Sequence, residues 1–489
     1  DARADGLSAA HHHRKFSRRH PPHVMLARAV LLFAAVVAAG TLPPGAPGLL
    51  EALGYDAAQN EHFCQLSQMR SAIIQRSGKS ESVAPSKAMA GRGQHQAAVA
   101  EACDPAAMAG KEFDLVVYGA TGFTGKLAAK YLAAGLPDAP TFAIGGRSES
   151  AIRALAAELG AGVGRPVPPA VVADLQDMEA LRAMARRARV VLTYAGPYEK
   201  YGGENLIKAA VDSCAHYVDI TGETPWEREM LFKYDAEAKA RGVAIVQSAG
   251  LDSLPADLTV ALAAQELAAD GHGPPSAVAV LWLKSNGWIS GGTAASGMYS
   301  ASHHLPAGPY ALSPGAEEVS EEAAKALFSE PHSPYGMSSV DIPIVHRSLA
   351  LTYPEAAIAV AEDAGPTLAT NMTQFLADPR MLTDPPPPPS SGSGPPDWML
   401  ADGSFALEAR ARRESDGRVT GIRLDGAGDP GYGACAKFSA ELAVALARPG
   451  AAAGAGFLTP ALALGAAALR RRLEAADGGR LMNFSSYAL

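Results

Sequence analysis

The feature that most constrains this chain is a short apolar run that ends in three regularly spaced glycines. Residues 115–118 indicate a buried strand, because a strand of a parallel sheet is covered on both faces and is apolar throughout. Gly119, Gly122 and Gly125 follow in a G-x-x-G-x-x-G pattern, and residues 126–134 then have helical character. This order predicts a strand, a tight turn and a helix whose free N–H groups can bind phosphate. The segment therefore predicts a dinucleotide site.

Each glycine has a separate role in such a site. Gly119 permits the tight turn, Gly122 lets the backbone approach a diphosphate, and Gly125 allows the helix to pack closely on the strand. A purely structural strand-turn-helix can use the same spacing, so the prediction depends on the flanking strand and helix. The predicted cofactor contacts in this turn are Gly119, Thr121, Gly122, Phe123, Thr124 and Gly125.

The end of the next predicted strand indicates which dinucleotide is bound. This predicted strand covers residues 141–146. It is followed directly by Arg147 and Ser148, at the position where an NAD-selective site usually carries Asp or Glu. An acid would repel a 2′-phosphate, whereas a guanidinium and a hydroxyl can bind one. We therefore predict NADP(H), with Arg147 and Ser148 as contacts. The alternative is that Arg147 only solvates the turn before a helix over residues 149–159.

Strands and helices continue to alternate beyond this point. Asp174 follows a third predicted strand at residues 170–173, and it is either an adenine contact or the N-cap of a helix over residues 178–187. A fourth predicted strand is followed by small residues that leave room for nicotinamide or ribose, namely Ala195, Gly196 and Pro197. The alternation predicts an α/β fold with a doubly wound parallel sheet of the Rossmann type.

Composition excludes several classes of function. The chain has 489 residues, 48% of them hydrophobic, which is enough for two domains with sizeable cores. A formal net charge of -8 provides no basic footprint, so we do not expect nucleic-acid binding. The cysteines show no metal-ligand spacing, so we expect no metal site and interpret them as buried, inert thiols. They are Cys64, Cys103, Cys214 and Cys435.

The N-terminal part of the chain has a different character. Residues 9–23 combine a histidine run with basic residues, which is typical of disorder or targeting. Residues 29–40 are an uninterrupted apolar run, which suits a signal-peptide h-region better than a membrane span of about 20 residues. A membrane anchor, an organellar presequence and a dispensable extension upstream of Met108 are open alternatives. We therefore predict an N-terminal extension over residues 1–110.

Short motifs occur in a defined order from the glycine turn to the C-terminus. They lie at residues 118–125, 145–148, 195–198, 201–202, 216–219, 221–223, 250–253, 255–257, 291–293, 429–432 and 458–460. In this order they resemble the saccharopine dehydrogenase-like oxidoreductases, in particular the branch that includes the trans-acting enoyl reductases of lipid biosynthesis. Two positions depart from the pattern of that family: Leu251 stands where Phe is usual, and Leu349 stands where Asn is common.

The resemblance implies an NADP-binding Rossmann domain followed by an α+β second domain. We place the first over residues 111–258 and the second over residues 259–430, before a C-terminal helical segment over residues 431–489 that returns to the first domain. A run of prolines, serines and glycines at residues 385–396 predicts an extended or mobile insert. The Gly/Ser/Thr-rich residues 285–300 predict a flexible loop near the substrate entrance.

The resemblance also implies an NADPH-dependent oxidoreductase that reduces a lipid-linked or otherwise bulky apolar small-molecule substrate. A saccharopine-type amino-acid dehydrogenase is an alternative, but it needs basic groups for carboxylates, and residues 259–345 contain only Lys284 and Lys325. A non-catalytic NADP-binding scaffold on a membrane or lipid droplet is a second alternative. We expect an intracellular protein that is membrane-associated or organellar, in a mitochondrion, a plastid or a lipid droplet. Contact with a lipid surface and a homodimer are open predictions about partners.

Candidate catalytic residues follow the fourth, fifth and sixth predicted strands. Hydride transfer is the chemistry of the cofactor, so the chain must supply orientation and a proton donor. Tyr198 is the predicted proton donor or substrate contact, and the alternative is that it only lines the pocket. Asp219 and Glu223 flank the turn that follows a fifth predicted strand at residues 216–220, where hydrogen bonds to backbone N–H groups are their favoured role. Asp252 and Ser253 follow a sixth predicted strand at residues 243–247, and they either cap the next helix or position the cofactor side.

Overall fold

The computed structural model describes residues 101–163, 167–305 and 307–489. The histidine run, the apolar run at residues 29–40 and Cys64 lie outside the described residues. In the ranges that are described, no helix combines the length and the apolarity that crossing a bilayer requires.

The strands of the described residues have the following bounds. In chain order they are β1 (Phe113–Tyr118), β2 (Phe142–Gly146), β3 (Ala170–Val172), β4 (Ala188–Thr193), β5 (His216–Asp219), β6 (Ala244–Val246), β7 (Ala277–Asn286), β8 (Ser333–Pro334), β9 (Ala359–Ala364), β10 (Ser404–Arg412), β11 (Val419–Ala427), β12 (Gly456–Leu458) and β13 (Met482–Ala488).

The helices of the same residues connect these strands. In chain order they are α1 (Pro105–Ala109), α2 (Phe123–Ala134), α3 (Glu149–Val163), α4 (Met178–Arg186), α5 (Tyr198–Tyr201), α6 (Gly203–Asp212), α7 (Thr224–Arg241), α8 (Leu254–Ala268), α9 (Gly291–His303), α10 (Glu322–Lys325), α11 (Ser338–Thr352), α12 (Pro366–Leu376), α13 (Arg380–Thr383), α14 (Asp397–Asp402), α15 (Cys435–Leu446), α16 (Pro460–Ala463) and α17 (Ala466–Gly479). A π-helical turn, Pro430–Ala434, precedes α15.

The first part of the described chain supplies most strands of a seven-stranded parallel sheet. Its strand order is β12-β6-β5-β4-β1-β2-β3. β1 is buried along its whole length, as a strand covered by helices on both faces must be. Because β2 lies on one side of β1 and β4 on the other, the strand order reverses between β1 and β4. This arrangement confirms the predicted doubly wound Rossmann fold, and it places a crevice at the carboxyl ends of these strands.

A second sheet is mixed, with the order β13-β11-β10-β7-β9-β8. Only the neighbours β7 and β9 run parallel among the paired strands of the described part of this sheet. Trp282 and Phe405 are among its fully buried side chains. α8 starts near the end of β6 and packs on β10 and β11, so one helix joins the two sheets. The structure thus confirms the predicted α+β second domain, whereas the boundary at residue 258, inside α8, stays a prediction.

The C-terminal region contributes to both sheets. α15 packs on α2 and β4, and the hydroxyls of Tyr194 and Ser439 hydrogen-bond at 2.8 Å. β12 then extends the parallel sheet and β13 extends the mixed sheet. The segment at residues 431–489, predicted as helical, therefore also contains two strands. β12 has three residues, and so short a run has no recognisable period.

The stretch at residues 285–300, predicted as a flexible loop, is largely helical. The Ser290 hydroxyl accepts a hydrogen bond from Thr293 N at 3.2 Å and caps α9. Alanines within α9 then favour the helix over the loop that the Gly/Ser/Thr content predicted.

The Pro-rich insert at residues 385–396 is packed onto the fold at two points. Gly291 N donates to the Ser393 carbonyl oxygen at 3.0 Å. Gly394 lies so close to the Phe123 ring that a Cβ at position 394 would be 2.3 Å from it. The insert therefore borders both α9 and the glycine turn, rather than extending freely.

Two cysteines form a disulfide, so the interpretation as inert thiols is wrong for them. The Cα atoms of Cys103 and Cys214 are 5.7 Å apart although 111 residues separate them in the sequence. The bond ties the segment before β1 to the loop before β5. Spacing alone does not reveal this pair, because only the fold brings the two residues together. Cys435 is a buried free thiol, as predicted.

Candidate cofactor and substrate site

The glycine turn between β1 and α2 contains contacts that a side chain would prevent. Gly119 has a φ of 73°, a conformation that favours glycine, and a Cβ there would lie 2.9 Å from Ala195 N. A Cβ at Gly125 would lie 2.3 Å from the Gly119 carbonyl oxygen. The turn therefore holds the start of α2 against β1 and against the segment that follows β4.

The first turn of α2 leaves hydrogen-bond donors for an anion. Gly122 is the N-cap, and no side chain of the described residues caps this helix. The N–H groups of Phe123, Thr124 and Gly125 precede the first intrahelical donor, so they are available to a phosphate. Thr121 is exposed beside them. These residues fit the diphosphate of a dinucleotide.

Arg147 and Ser148 follow β2 and are both exposed. The pKa of Tyr118 is raised to about 12, first by burial and then by the Asp174 carboxylate, while the Arg147 guanidinium acts in the opposite direction. Both charges therefore lie near the Tyr118 hydroxyl, at one corner of the crevice. The Ser148 hydroxyl accepts from Ala151 N at 3.4 Å in the first turn of α3. This corner can hold a 2′-phosphate beside Arg147.

Asp174 does not cap a helix. Asp177 caps α4, whereas Asp174 Oδ1 accepts from Gln176 N at 2.9 Å in the preceding turn. The N-cap alternative is therefore wrong. Asp174 is exposed after β3, and its contact with adenine stays a prediction.

Ala195, Gly196 and Pro197 border the crevice opposite the glycine turn. The Ala195 backbone contacts the turn at Gly119, as described above. A Cβ at Gly196 would lie 3.7 Å from the Ser296 hydroxyl oxygen, so α9 covers this segment from outside. The structure thus brings the residues predicted after β1 and β4 into contact, with those after β2 and β3 along the same edge of the sheet.

Tyr198 is placed differently from a proton donor in a cleft. Its side chain is buried, its ring stacks on Trp226 at 5.7 Å, and its hydroxyl donates to the Thr193 carbonyl oxygen at 3.1 Å. Burial raises the pKa of Tyr198 well above its ordinary value. The geometry favours the alternative that this tyrosine packs beneath the site.

Asp219 and Glu223 have the structural roles that the sequence favoured. The Asp219 carboxylate accepts from the Tyr217 hydroxyl at 2.9 Å and from Gln247 Nε2 at 3.1 Å. The Glu223 carboxylate accepts from the first two backbone N–H groups of α5, at 2.8 and 3.0 Å. Both acids therefore hold the loops that follow β4 and β5.

Three carboxyl groups meet where the two sheets join. Asp252 follows β6, Asp341 belongs to α11, and Glu362 belongs to β9. Trp282 Nε1 donates to Glu362 Oε1 at 2.7 Å. Burial raises the pKa of Asp252 to about 7 and that of Glu362 to about 7, and it raises the pKa of Asp341 well above its ordinary value. We refer to these residues as the carboxyl cluster.

Only Asp252 of the cluster is a candidate site residue from the sequence, whereas Asp341 and Glu362 are not. Asp341 stands alone in the apolar run at residues 340–345, and a lone acid there is the signal that could have identified it, because a buried acid needs a partner or a proton. Glu362 stands beside Asp363 in the run at residues 358–364, so it gives a weaker signal.

The π-helical turn joins the glycine turn to α9. The Tyr432 hydroxyl contacts Ser290 N and the Thr293 hydroxyl, both at 2.7 Å, and the Tyr432 ring meets the Phe123 ring edge-on at 5.5 Å. Asp429 Oδ1 holds this turn by accepting from Tyr432 N at 2.7 Å. The position of α9 is therefore coupled to the first turn of α2.

Glu227 provides a test of buried charge in this region. Burial raises its pKa to about 8, its Oε1 accepts from the Ser248 hydroxyl, and its Oε2 lacks a hydrogen-bond partner among the described residues. The folded state therefore binds more protons than the unfolded state, and the Glu227 contribution to the free energy of unfolding falls as pH rises from about 4.5 to about 8. We expect Glu227→Gln to gain about 2 kcal/mol over wild type between about pH 5 and about pH 8.

Denaturant unfolding at several pH values measures this gain. Asp219→Asn is the matched control, because it removes an acceptor of several hydrogen bonds and should lose stability across the range. A Glu227→Gln curve parallel to that of wild type would contradict a buried, protonated Glu227.

No group of three or more His, Cys, Asp or Glu side chains in the described part of the chain is arranged to hold a metal ion.

Residues 115–246 match the family model of the saccharopine dehydrogenase NADP binding domain.

Known proteins are similar over different lengths. A Mycobacterium tuberculosis protein named as a candidate trans-acting enoyl reductase is 32% identical over 407 residues, which cover 74% of this chain and 95% of that protein. A Caenorhabditis elegans lipid droplet localized protein is 44% identical over 151 residues, which cover 30% of this chain and 35% of that protein. Apo saccharopine dehydrogenase (L-Glu forming) from Saccharomyces cerevisiae aligns with 77% of this chain and 100% of its own, at 16% identity and a TM-score of 0.46.

Proposed function

The chain belongs to the saccharopine dehydrogenase-like, NADP-dependent oxidoreductases, and on that premise we propose that it reduces an unsaturated bond in a lipid-linked, bulky apolar substrate. The enoyl reductase name of the mycobacterial relative supports the reaction type. The lipid droplet name of the nematode relative supports contact with a lipid surface, including that of a lipid droplet. The predicted homodimer stays a prediction.

The cofactor is held by residues along the carboxyl edge of the parallel sheet. In this proposal the first turn of α2 binds the diphosphate, Arg147 and Ser148 bind the 2′-phosphate, and Asp174 contacts adenine. The small residues Ala195 to Pro197 leave room for the nicotinamide. Bound NADPH supplies the hydride, and the chain provides orientation, exclusion of water and a proton.

The residues that cover the predicted nicotinamide end indicate an apolar substrate. Residues 285–316 contain no Asp, Glu, Lys or Arg, and their helix α9 covers Gly196 at the predicted nicotinamide end. Met298, in α9, is 54% exposed and Leu305, just beyond it, is 75% exposed. An uncharged cover with exposed apolar side chains suits an acyl chain or a lipid surface better than a substrate with several carboxylates.

The saccharopine-type alternative has less support. Arg347 is buried, and its guanidinium donates to the carbonyl oxygens of Leu312 at 2.9 Å and Phe457 at 2.6 Å. It is therefore committed to the fold and cannot pair with a substrate carboxylate without breaking these bonds.

Oxidation of NADPH tests the proposal directly. We expect turnover with a long-chain α,β-unsaturated acyl thioester, and mass spectrometry should show a product heavier by two hydrogens. Reduction of NADP+ with saccharopine as the hydride donor instead would favour the amino-acid dehydrogenase. Tight NADPH binding without turnover of either compound would favour the non-catalytic scaffold.

Replacing Leu305 tests whether its side chain contacts the acyl chain or whether the substitution lowers activity for every substrate. Leu305→Asp should lower kcat/KM for the long-chain thioester about tenfold, and that for a short-chain thioester by much less, because only the long chain reaches the exposed apolar side. Leu489→Asp, at another exposed leucine, is the matched control. Equal losses for both chain lengths would contradict a role of Leu305, just beyond α9, in binding the acyl chain.

A further inference from the structure

We propose that the carboxyl cluster is a proton store, from which Asp252 delivers the proton that completes the reduction. This inference rests on the proposed function, because it assigns the proton donor of that same reaction. The donor role is otherwise open, since the Tyr198 hydroxyl is buried and bonded to a backbone carbonyl.

The cluster has unsatisfied polar atoms that converge from both sheets. Among the described residues, no hydrogen-bond partner is found for Asp252 Oδ1, for both Asp341 carboxylate oxygens, for Glu362 Oε2 or for Ser253 Oγ. Ser253 is 0% exposed, and its hydroxyl lies beside Asp341. Buried acceptors without donors are unfavourable unless protons or small donors occupy the space between them. The Ser253 hydroxyl and the Asp341 and Glu362 carboxyls lie beside one another, so the acceptors left unsatisfied among them indicate a shared proton or a bound donor.

The surroundings of the cluster favour protons over ionised groups. Tyr335 is close enough to feel the charge of all three acids, and the Cys435 thiol lies near Asp252. Neither group is cationic, so like-charge repulsion and burial disfavour ionisation of the acids together. The raised pKa values of the three acids agree with at least one proton held at neutral pH.

The three acids of the cluster differ in exposure. Asp341 is 0% exposed and Glu362 is 5% exposed, whereas Asp252 is half-buried although its Oδ1 is covered. Asp252 also lies on the cofactor edge of the parallel sheet, because Ala249 N donates to the Asp219 carbonyl oxygen at 2.9 Å and β5 pairs with β4. Asp252 is therefore the outlet, and the two buried acids are the reserve.

The proton and electron balance is complete with the reductant of the proposed function. The hydride adds to one carbon of the double bond, and the electron pair of that bond forms the second C–H bond with a proton from Asp252. The O–H bond of Asp252 breaks and its electrons remain on the carboxylate. A proton from Asp341 or Glu362 then restores Asp252, and solvent restores the cluster.

Infrared spectroscopy of the full chain tests the store without any substrate. The carbonyl stretch of a protonated carboxylic acid should be present at neutral pH and should lose intensity in Asp341→Asn and in Glu362→Gln. Asp257→Asn is the matched control, because Asp257 is equally buried but its carboxylate accepts from the Ser348 hydroxyl and from Ala461 N. An unchanged spectrum in both cluster variants would overturn the store.

Kinetics with the long-chain thioester test delivery. Asp252→Asn should lower kcat on the order of a hundredfold, as expected for loss of a general acid, and leave the NADPH dissociation constant within about twofold. Asp252→Glu should recover part of kcat with a shifted pH profile. Wild-type turnover that survives in Asp252→Asn with the same pH profile would overturn the inference alone. Wild-type NADPH binding without thioester turnover would instead refute the proposed function, and delivery by Asp252 with it.

Discussion

Replacing Gly122 with alanine should weaken NADPH binding on the order of a hundredfold while changing the free energy of unfolding by less than about 0.5 kcal/mol. Gly122 has a φ of -72°, and a Cβ there would meet only the Gly119 carbonyl oxygen, at 3.3 Å. The fold can therefore accept the methyl group with a small adjustment. A diphosphate bound at the start of α2 cannot, because the methyl group would occupy the surface that the phosphates approach.

Gly125→Ala should have the opposite effect on stability. Its Cβ would lie 2.3 Å from the Gly119 carbonyl oxygen and 3.0 Å from Ala120 Cα, and both atoms belong to the backbone. Relief requires α2 to move away from β1, so we expect a loss of about 3 kcal/mol in the free energy of unfolding.

Titration by NADPH fluorescence and unfolding in denaturant measure the two effects. Gly308→Ala is the control, because a Cβ at Gly308 would meet no described atom within 4 Å. Wild-type affinity in Gly122→Ala would mean that the cofactor does not approach this turn. A loss of stability in Gly122→Ala equal to that in Gly125→Ala would mean that both glycines serve only the fold.

Much of the Rossmann domain could be predicted because its signals are local. The apolar run of β1, the glycine spacing and the start of α2 are contiguous in the sequence, and each has its own physical requirement. The alternation of strands and helices also predicted a doubly wound parallel sheet, since crossovers between parallel strands have one hand.

The features that the sequence did not predict depend on contacts between distant segments. The disulfide of Cys103 with Cys214 and the addition of β12 to the parallel sheet both join parts of the chain that the fold alone brings together. Residues 285–300 were predicted as a loop, although they are largely helical, for another reason. Its Gly, Ser and Thr content is typical of loops, but a cap at Ser290 and contacts with Tyr432 stabilise the helix α9.

The cofactor contacts of the candidate site could be predicted from the sequence, whereas the carboxyl cluster could not. The cofactor contacts follow directly after strands, so their positions in the sequence indicate their position at the edge of the sheet. Asp341 and Glu362 come from elements of the second sheet, and nothing local indicates that they meet Asp252. The sequence also indicates that Tyr198 follows β4 near the site. It does not indicate the direction of the side chain, which is decided by packing on Trp226.

We expect Arg147 to select NADPH by binding the 2′-phosphate, and the dissociation constants of NADPH and NADH for wild type and Arg147→Asp measure this selection. Arg153→Asp is the control, since Arg153 is an exposed arginine nearby in α3 that pairs with Glu149. We expect Arg147→Asp to weaken NADPH on the order of a hundredfold, corresponding to a lost charge-assisted hydrogen bond of about 1.5–3 kcal/mol, and to change NADH by less than about threefold. Equal weakening of both cofactors, or none of either, would contradict the claim.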